Sequence, residues 1–287
     1  MRGIFNYGSG RRKGEKMIKA LSVAGFDGSG GAGITSDAKI FSRLKIFGLS
    51  AITAMTAQNP DNIYGIIPVS EGFFDMELKA VFDYFKVDAV KTGLIACEEQ
   101  SLILSEYLKK YMVKIVVIDP VHISTSNKRL IMKDSSYPDF LMPLFKLATV
   151  ITPNIMEAEL ISGEKIDNLN GMKKAAKRIK ENIPGIKNIV IKGSHINANL
   201  NKGKIYNIIL DSGNHFFVNE SERIELDKKI HGTGCAFSAA LTAYLAKGLK
   251  IEEALVKTEM LVSKFIKGFR NIPDNSGDKH IYITGNI

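Results

Sequence analysis

The chain has 287 residues, 45% of them apolar and 24% charged, enough to bury a sizeable core in one α/β domain. No apolar run reaches the ~20 residues that a bilayer-spanning helix needs. The formal net charge of +9 falls to +5 when residues 1–16 are set aside, since Arg2, Arg11, Arg12, Lys13 and Lys16 stand there against Glu15 alone. The other lysines lie in helical stretches such as 173–178 as solvated faces, which excludes a nucleic-acid partner. Cys97 and Cys235 are far apart with no CxxC pair, so neither a disulfide framework nor a zinc site is expected, and a reducing, cytoplasmic setting is.

Residues 1–16 lack the apolar stretch of a secretory signal and read as a basic, disordered extension, or as residues upstream of a working start at Met17. Residues 17–287 are expected to form a single domain. Met17–Gly25 (MIKALSVAG) predicts a buried first strand. The loop Phe26–Gly33 then opens a helical pattern over Ile34–Phe47 with apolar Ile34, Ala38, Phe41, Leu44 and Ile46. Strand, glycine loop and helix in that order form a phosphate- or nucleoside-binding arrangement. Gly28, Gly30 and Gly33 fit a GxGxxG pattern, but no acid lies between Gly48 and Pro60 to hold a ribose. A dinucleotide enzyme is therefore set aside, and without a GxxxxGK[ST] run so is a P-loop. Asp37, one turn into the helix, reads as a solvated carboxylate near the positive helix end or as a pocket residue.

The second strand, Ser50–Ala57, ends in Gln58-Asn59-Pro60. After a helix around Phe74–Phe85 come a strand at Val87–Leu94 and a helix at Cys97–Tyr111. Val113–Asp119 (VKIVVID) is a buried strand ending in an acid, where open α/β sheets bind ligands. Val150–Asn154 repeats that plan and leads to a helix over Met156–Ser162. Asn154 and Glu157, three apart at its start, reach one point either as ligand groups or as a capping box. A lysine-rich helix at Gly171–Asn182 leads to the strand Asn188–Lys192, followed by Gly193-Ser194-His195. Two hairpin strands, Ile205–Leu210 and His215–Val218, flank the turn residues 211–214. A last helix is expected at Ile251–Phe269. Strands alternating with helices predict a three-layer α/β/α fold with a mostly parallel sheet.

Between hairpin and last helix runs His231-Gly232-Thr233-Gly234-Cys235, straight into the helix former-rich stretch Ala236–Lys247. Its glycines let successive N–H groups converge on one anion at a helix start. Cys235 falls in the first turn, where the positive helix end favours a thiolate able to take a proton, or it is a small buried hydrophobe. An anion nest, paired carboxylates, a lysine and a proton acceptor are the parts of phosphoryl transfer without a P-loop.

Seven ordered motifs resemble those of the hydroxymethylpyrimidine/phosphomethylpyrimidine kinase family within the ribokinase superfamily. They are Ala24-Gly25-x-Asp27-x-Ser29-Gly30-Gly31-Ala32-Gly33-Ile34-x-x-Asp37, Thr56-Ala57-Gln58-Asn59, Lys91-x-Gly93, Ile118–Val121, Thr152-Pro153-Asn154-x-x-Glu157-Ala158, Lys192-Gly193-x-His195, and His231–Cys235 with Ser238-Ala239-Ala240. The resemblance implies a ribokinase-like fold and ATP- and Mg²⁺-dependent phosphorylation of 4-amino-5-hydroxymethyl-2-methylpyrimidine, then of its monophosphate. It implies that Gln58, Asp37, Gly25 and Val121 bind the pyrimidine, and that Asn154, Glu157, Lys192 and Gly193 bind ATP. Asp119 and Glu157 would hold Mg²⁺, while Gly232, Thr233, Gly234, Cys235 and Lys192 would carry catalysis with Cys235 as base. The superfamily more often has aspartate there, so Cys235 marks this branch. A homodimer is implied as well. Gly28, His122 and Asn127 depart from the family pattern and bear on substrate choice. A pyridoxal or pyridoxine kinase on the same scaffold is the alternative.

Overall fold

Short runs of β-branched and small residues make the strands, and the central ones are buried on both faces, as a sheet covered on both sides requires. The computed structural model describes residues 17–59, 61–121, 137–194, 203–224, 229–268 and 280–282. Residues 1–16, Pro60, His122, Asn127, His195 and Phe269 lie outside the described residues. The chain runs β1 (Lys19–Asp27), α1 (Gly33–Arg43), β2 (Phe47–Gln58), β3 (Ile63–Pro68), α2 (Glu71–Tyr84), β4 (Ala89–Thr92), α3 (Glu98–Lys110) and β5 (Ile115–Ile118). It continues through α4 (Met142–Phe145), β6 (Val150–Ile151), α5 (Ile155–Ser162), α6 (Leu169–Asn182), β7 (Asn188–Lys192), β8 (Lys204–Leu210) and β9 (Phe216–Glu222). Last come β10 (Lys229–His231), α7 (Thr233–Ala246), α8 (Ile251–Lys267) and β11 (His280–Tyr282).

Among the described residues nine strands form one sheet in the order β3-β2-β1-β4-β5-β6-β7-β8-β9. The six from β2 to β7 in that order are parallel; β3 at one end and β8 at the other run opposite to them, and β9, antiparallel to β8, forms the far edge. From β1 the chain passes to β2 on one side, then returns to β4 on the other. That reversal opens a crevice at the carboxyl ends of β1 and β4, where ligands of open α/β sheets sit.

One face carries α2 to α6. Phe74, Leu78 and Phe82 of α2, Leu104 and Leu108 of α3, and Met172, Ala175 and Ile179 of α6 share a core with Leu21, Val90, Val116 and Ile189 of the sheet. The other face carries α1, α7 and α8. Ile40 and Phe41 pack there with Ala236, Ala239, Ala240 and Ala243, and Phe237, Leu241 and Leu245 pack with Ala254 and Leu255. The alanine stripe of α7 lets its backbone approach α1 and the sheet, the close approach that small residues permit. The expected three-layer architecture is the observed one.

Element ends differ from the sequence reading for local reasons. The first helix stops at Arg43, since Lys45 takes a positive φ of 57° and Ile46 hydrogen-bonds back to Phe41, which frees Phe47 to begin β2. Strand β3 was not expected, because its Gly65 and terminal Pro68 weaken a strand signal. It pairs as an antiparallel edge through the turn at Asn59, whose Oδ1 accepts from the Asp61 and Asn62 N–H groups at 3.0 and 2.8 Å.

Candidate active site

Two glycine turns define the site. At the end of β1 the register with β2 shifts between Ala24 and Phe26, a bulge that turns Gly25 out of the ladder. The buried Asp27 then folds the following loop around its own carboxylate. Oδ1 accepts from the Ser29 N–H at 2.9 Å, and Oδ2 accepts from Ser29 Oγ and the Ala32 N–H, both at 2.9 Å. The GxGxxG pattern is thus the trace of an aspartate-centred turn that delivers α1. The second turn is Gly232, the N-cap of α7, with φ of 89°. A Cβ there would lie 1.8 Å from the Gly31 carbonyl oxygen, so only glycine fits and the two turns meet backbone to backbone.

Between them lies a cavity of about 470 Å³, within the range of small-molecule sites. Its wall includes Gly25, Gln58, Asp119, Val121, Asn154, Glu157 and Lys192, together with Gly232, Thr233, Gly234 and Cys235. Eleven of the residues singled out from the sequence therefore converge on one space. The first-turn N–H groups of Thr233, Gly234 and Cys235 have no intrahelical acceptor, and Gly232 offers no side-chain cap, so they are donors to an anion.

Two expected wall residues lie behind the wall. Asp37 is completely buried, with Oδ2 2.5 Å from Ser22 Oγ and 2.8 Å from Lys91 Nζ. It is not a solvated carboxylate and does not line the cavity, because the helix turn aims it at β1 and β4. Burial raises its carboxyl, against the pull of Lys91 and Ser22. Lys91 is equally buried; burial disfavours its ammonium, but Asp37, Cys235 and Asp119 outweigh that and keep it charged. Gly193 is the other case. A Cβ there would lie 2.0 Å from the Tyr206 carbonyl oxygen, and its N–H donates to Asn207 Oδ1 at 2.8 Å.

A second buried pair sits in the wall itself. Lys192 Nζ is 2.8 Å from Asp119 Oδ1, which also accepts from Thr152 Oγ1 at 3.1 Å, while Oδ2 accepts from Ser238 Oγ at 3.0 Å. Burial lowers the Lys192 ammonium, but Asp119 and Glu157 more than offset it. Asn154 and Glu157 do form a capping box: Asn154 Oδ1 accepts from the Glu157 N–H at 2.9 Å, and Glu157 Oε2 from the Asn154 N–H at 2.8 Å. The cap also faces the cavity, so the structural and the ligand readings of this pair are compatible. Asp119 and Glu157 give hard oxygen donors around Lys192, a set that fits Mg²⁺ held through water.

Cys235 corrects the expectation drawn from its helix position. Burial is the larger effect and pushes its thiol up to about 11, against the lowering pull of Lys91 and of the Gly33 N–H; Asp37 and Asp119 raise it further. In the resting protein it is a thiol.

Sequence reasoning missed several supports. Lys91 stood in a quoted motif without a role, and its buried position in an apolar strand was the available signal. Gln100, fully buried, accepts from the Ala96 N–H at 3.0 Å and donates to the Thr53 carbonyl at 2.8 Å, pinning the loop behind Gly93. Glu259 of α8 accepts from Asn207 Nδ2 at 2.7 Å and from Asn219, and so ties α8 to the strands behind Gly193. Nothing local in the sequence marks either.

Comparison with known proteins gives a consistent picture. Residues 27–280 match the model of the phosphomethylpyrimidine kinase family. The chain is 34% identical over 254 residues to the hydroxymethylpyrimidine/phosphomethylpyrimidine kinase of Aquifex aeolicus, covering 88% of this chain and 96% of that one. It is 38% identical over 249 residues to the thiamine biosynthesis bifunctional protein of Geobacter sulfurreducens, covering 86% of this chain and about half, 49%, of that protein. The structure of the pyridoxal kinase from Staphylococcus aureus in complex with ADP superposes with a TM-score of 0.79 at 30% identity, covering 91% and 92% of the two chains.

Because Gly232 has a left-handed backbone against the Gly31 carbonyl, Gly232→Ala is expected to lower stability by at least about 1–2 kcal/mol, read in a urea melt. An unchanged midpoint would show that the two turns do not meet.

Proposed function

The chain belongs to the phosphomethylpyrimidine kinase family, and from that premise we propose that it transfers the γ-phosphoryl group of ATP to the hydroxymethyl oxygen of 4-amino-5-hydroxymethyl-2-methylpyrimidine and then to the monophosphate. The observation that carries this reading is the single cavity on which Gln58, Lys192 and the Gly232–Cys235 turn all open. Gln58 presents both a donor and an acceptor, the pattern that reads a ring nitrogen and an exocyclic amine, with the Gly25 backbone and Val121 beside it. Phe237, Val262 and Ile266 supply an apolar surface for a purine base, and Asn154, Glu157 and Lys192 supply the polar end for its phosphates. Asp119 and Glu157 would hold Mg²⁺, which when bound draws charge from the phosphate oxygens.

In the first transfer the Cys235 thiolate takes the hydroxyl proton, the oxygen bonds to the γ-phosphorus, and the bond from that phosphorus to the bridging oxygen breaks to release ADP. Lys192 and the N–H groups at the start of α7 meet the charge spread over the moving group. The second transfer needs less. Its acceptor is a phosphate oxygen that is already largely ionised near pH 7, so no base is required. ATP and a thiol-based reaction fit a cytoplasmic protein, and no helix among the described residues is long and apolar enough to cross a membrane.

A pyridoxal kinase is the second reading, favoured by the superposition on the Staphylococcus aureus enzyme. Mass spectrometry of the products formed from ATP and each compound decides. A diphosphate from the pyrimidine is expected, and product from pyridoxal alone would reverse the assignment. The exposed Met55, Tyr64 and Ile67 on the β2–β3 hairpin, at 45%, 73% and 71% exposure, support a homodimer through that edge; a solution mass of one chain at micromolar concentration would remove it.

Cys235→Ala is expected to lower the rate of the first transfer by ~100-fold or more and the second by far less. Since the thiol lies near 11, kcat/KM for the first transfer should rise about tenfold per pH unit between roughly pH 7 and 9, as the thiolate fraction grows. A flat profile, or near wild-type first transfer in the variant, would take Cys235 out of the mechanism.

A further inference from the structure

We propose that the buried Lys91–Asp37 pair is a fixed positive charge against which Cys235 ionises, making Lys91 a positioning residue for the first phosphoryl transfer; this rests on the reading of Cys235 as its base. Lys91 and Asp37 side chains are both fully buried and 2.8 Å apart. Asp37 Oδ1 is buried without a hydrogen-bond partner. An ion pair left partly unsatisfied in the interior is a poor stabilising device, since apolar side chains of similar volume hold such a site as well or better. Its location gives it a use. Lys91 Nζ lies 3.0 Å from the point a Cβ on Gly93 would occupy, and Gly93 is part of the cavity wall. The ammonium is therefore one residue's thickness behind the surface that faces α7, whose first turn carries Cys235.

The groups that act on Cys235 come from every side. Lys91 of β4 favours its thiolate, and so does the Gly33 N–H; Asp37 of α1 and Asp119 after β5 oppose it, and Lys192 of β7 faces it as well. Lys91 outweighs Asp37, so the pair acts on Cys235 as a net positive charge. Asp37, held by Ser22 and Lys91, fixes where the ammonium sits and keeps it protonated. The protons balance without help from the pair. The thiol loses one to solvent, the thiolate regains one from the substrate hydroxyl, and Lys91 keeps its own throughout.

The test uses the full-length Cys97→Ser protein, in which Cys235 is the only thiol, and the added pair of substitutions Lys91→Met and Asp37→Leu. Iodoacetamide alkylation of Cys235 at pH 8.5 is expected to slow by at least tenfold, and the ratio of the first to the second transfer rate to fall by at least tenfold. ATP affinity and the thermal midpoint are measured alongside. An ion pair that only supports the fold would move neither readout once the apolar pair replaces it. Alkylation within threefold of the parent together with an unchanged ratio overturns the proposal. Should that variant not fold, Lys91→Met with Asp37→Asn removes the same charge while keeping the shape of residue 37, and the same two outcomes apply. Cys235→Ala separates the two layers of the argument. First transfer within threefold in that variant sinks the base reading itself, whereas its loss combined with unchanged alkylation in the Lys91 variants sinks only the role of the pair.

Discussion

The approach of Gly232 to the Gly31 carbonyl is the contact on which the site depends. It joins the loop after β1 to the start of α7, segments some two hundred residues apart in sequence. Neither turn makes a site alone. The first supplies a bulged Gly25 and an aspartate-centred loop; the second supplies free N–H donors and a thiol. Only with no side chain on Gly232 can its backbone lie against the Gly31 carbonyl, and that contact brings both turns onto one cavity. The alanine stripe on α7 serves the same end, because a larger residue at 236, 239 or 240 would lift the helix from α1 and carry Cys235 away.

Charge is arranged in two buried layers around that contact. In the wall, Lys192 is paired with Asp119 and faces the cavity. Behind the wall, the buried Lys91 is paired with Asp37, whose same carboxylate oxygen also accepts from Ser22. The first pair is a contact group and the second a fixed field. Low local dielectric makes both strong at short range, and it is also why the thiol between them is held so far above its usual value.

Much of this was legible in the residues. Apolar runs ending in a polar tip marked the parallel strands and the edge at which their ligand groups meet, since in a parallel sheet every such tip points the same way. Glycine spacing marked the turns, though not that GxGxxG would fold around Asp27. What sequence could not give was direction. Asp37 has the spacing of a pocket residue, yet its helix turn aims inward, and one helical step decides between those outcomes. Asn154 and Glu157 were legible both as cap and as ligand groups; the fold forms the cap and leaves both residues in the cavity wall. The supports Gln100, Asn207 and Glu259 act across 47, 14 and 52 residues, so no local pattern contains them. The edge strand β3 was hidden by its own glycine and proline.

The identity of residue 235 follows from the same electrostatics. Asp37 and Asp119 already place two carboxylates where they raise the proton affinity of whatever stands there, and a polyphosphate adds more negative charge nearby. A carboxylate at 235 would be a third like charge beside Asp37 and Asp119 whenever it ionised. A thiol avoids this. It is neutral at rest, so ATP can enter without opposing a charge at that point, and it becomes an anion only in the fraction of molecules where Lys91 and the helix start have made that favourable. The cost is that few molecules are ready at neutral pH, offset by the strength of a base whose proton affinity is close to what an alkoxide-forming step needs. A phosphate acceptor carries its own charge and asks nothing of the thiol, which is why one cavity can serve two acceptors that differ by two negative charges.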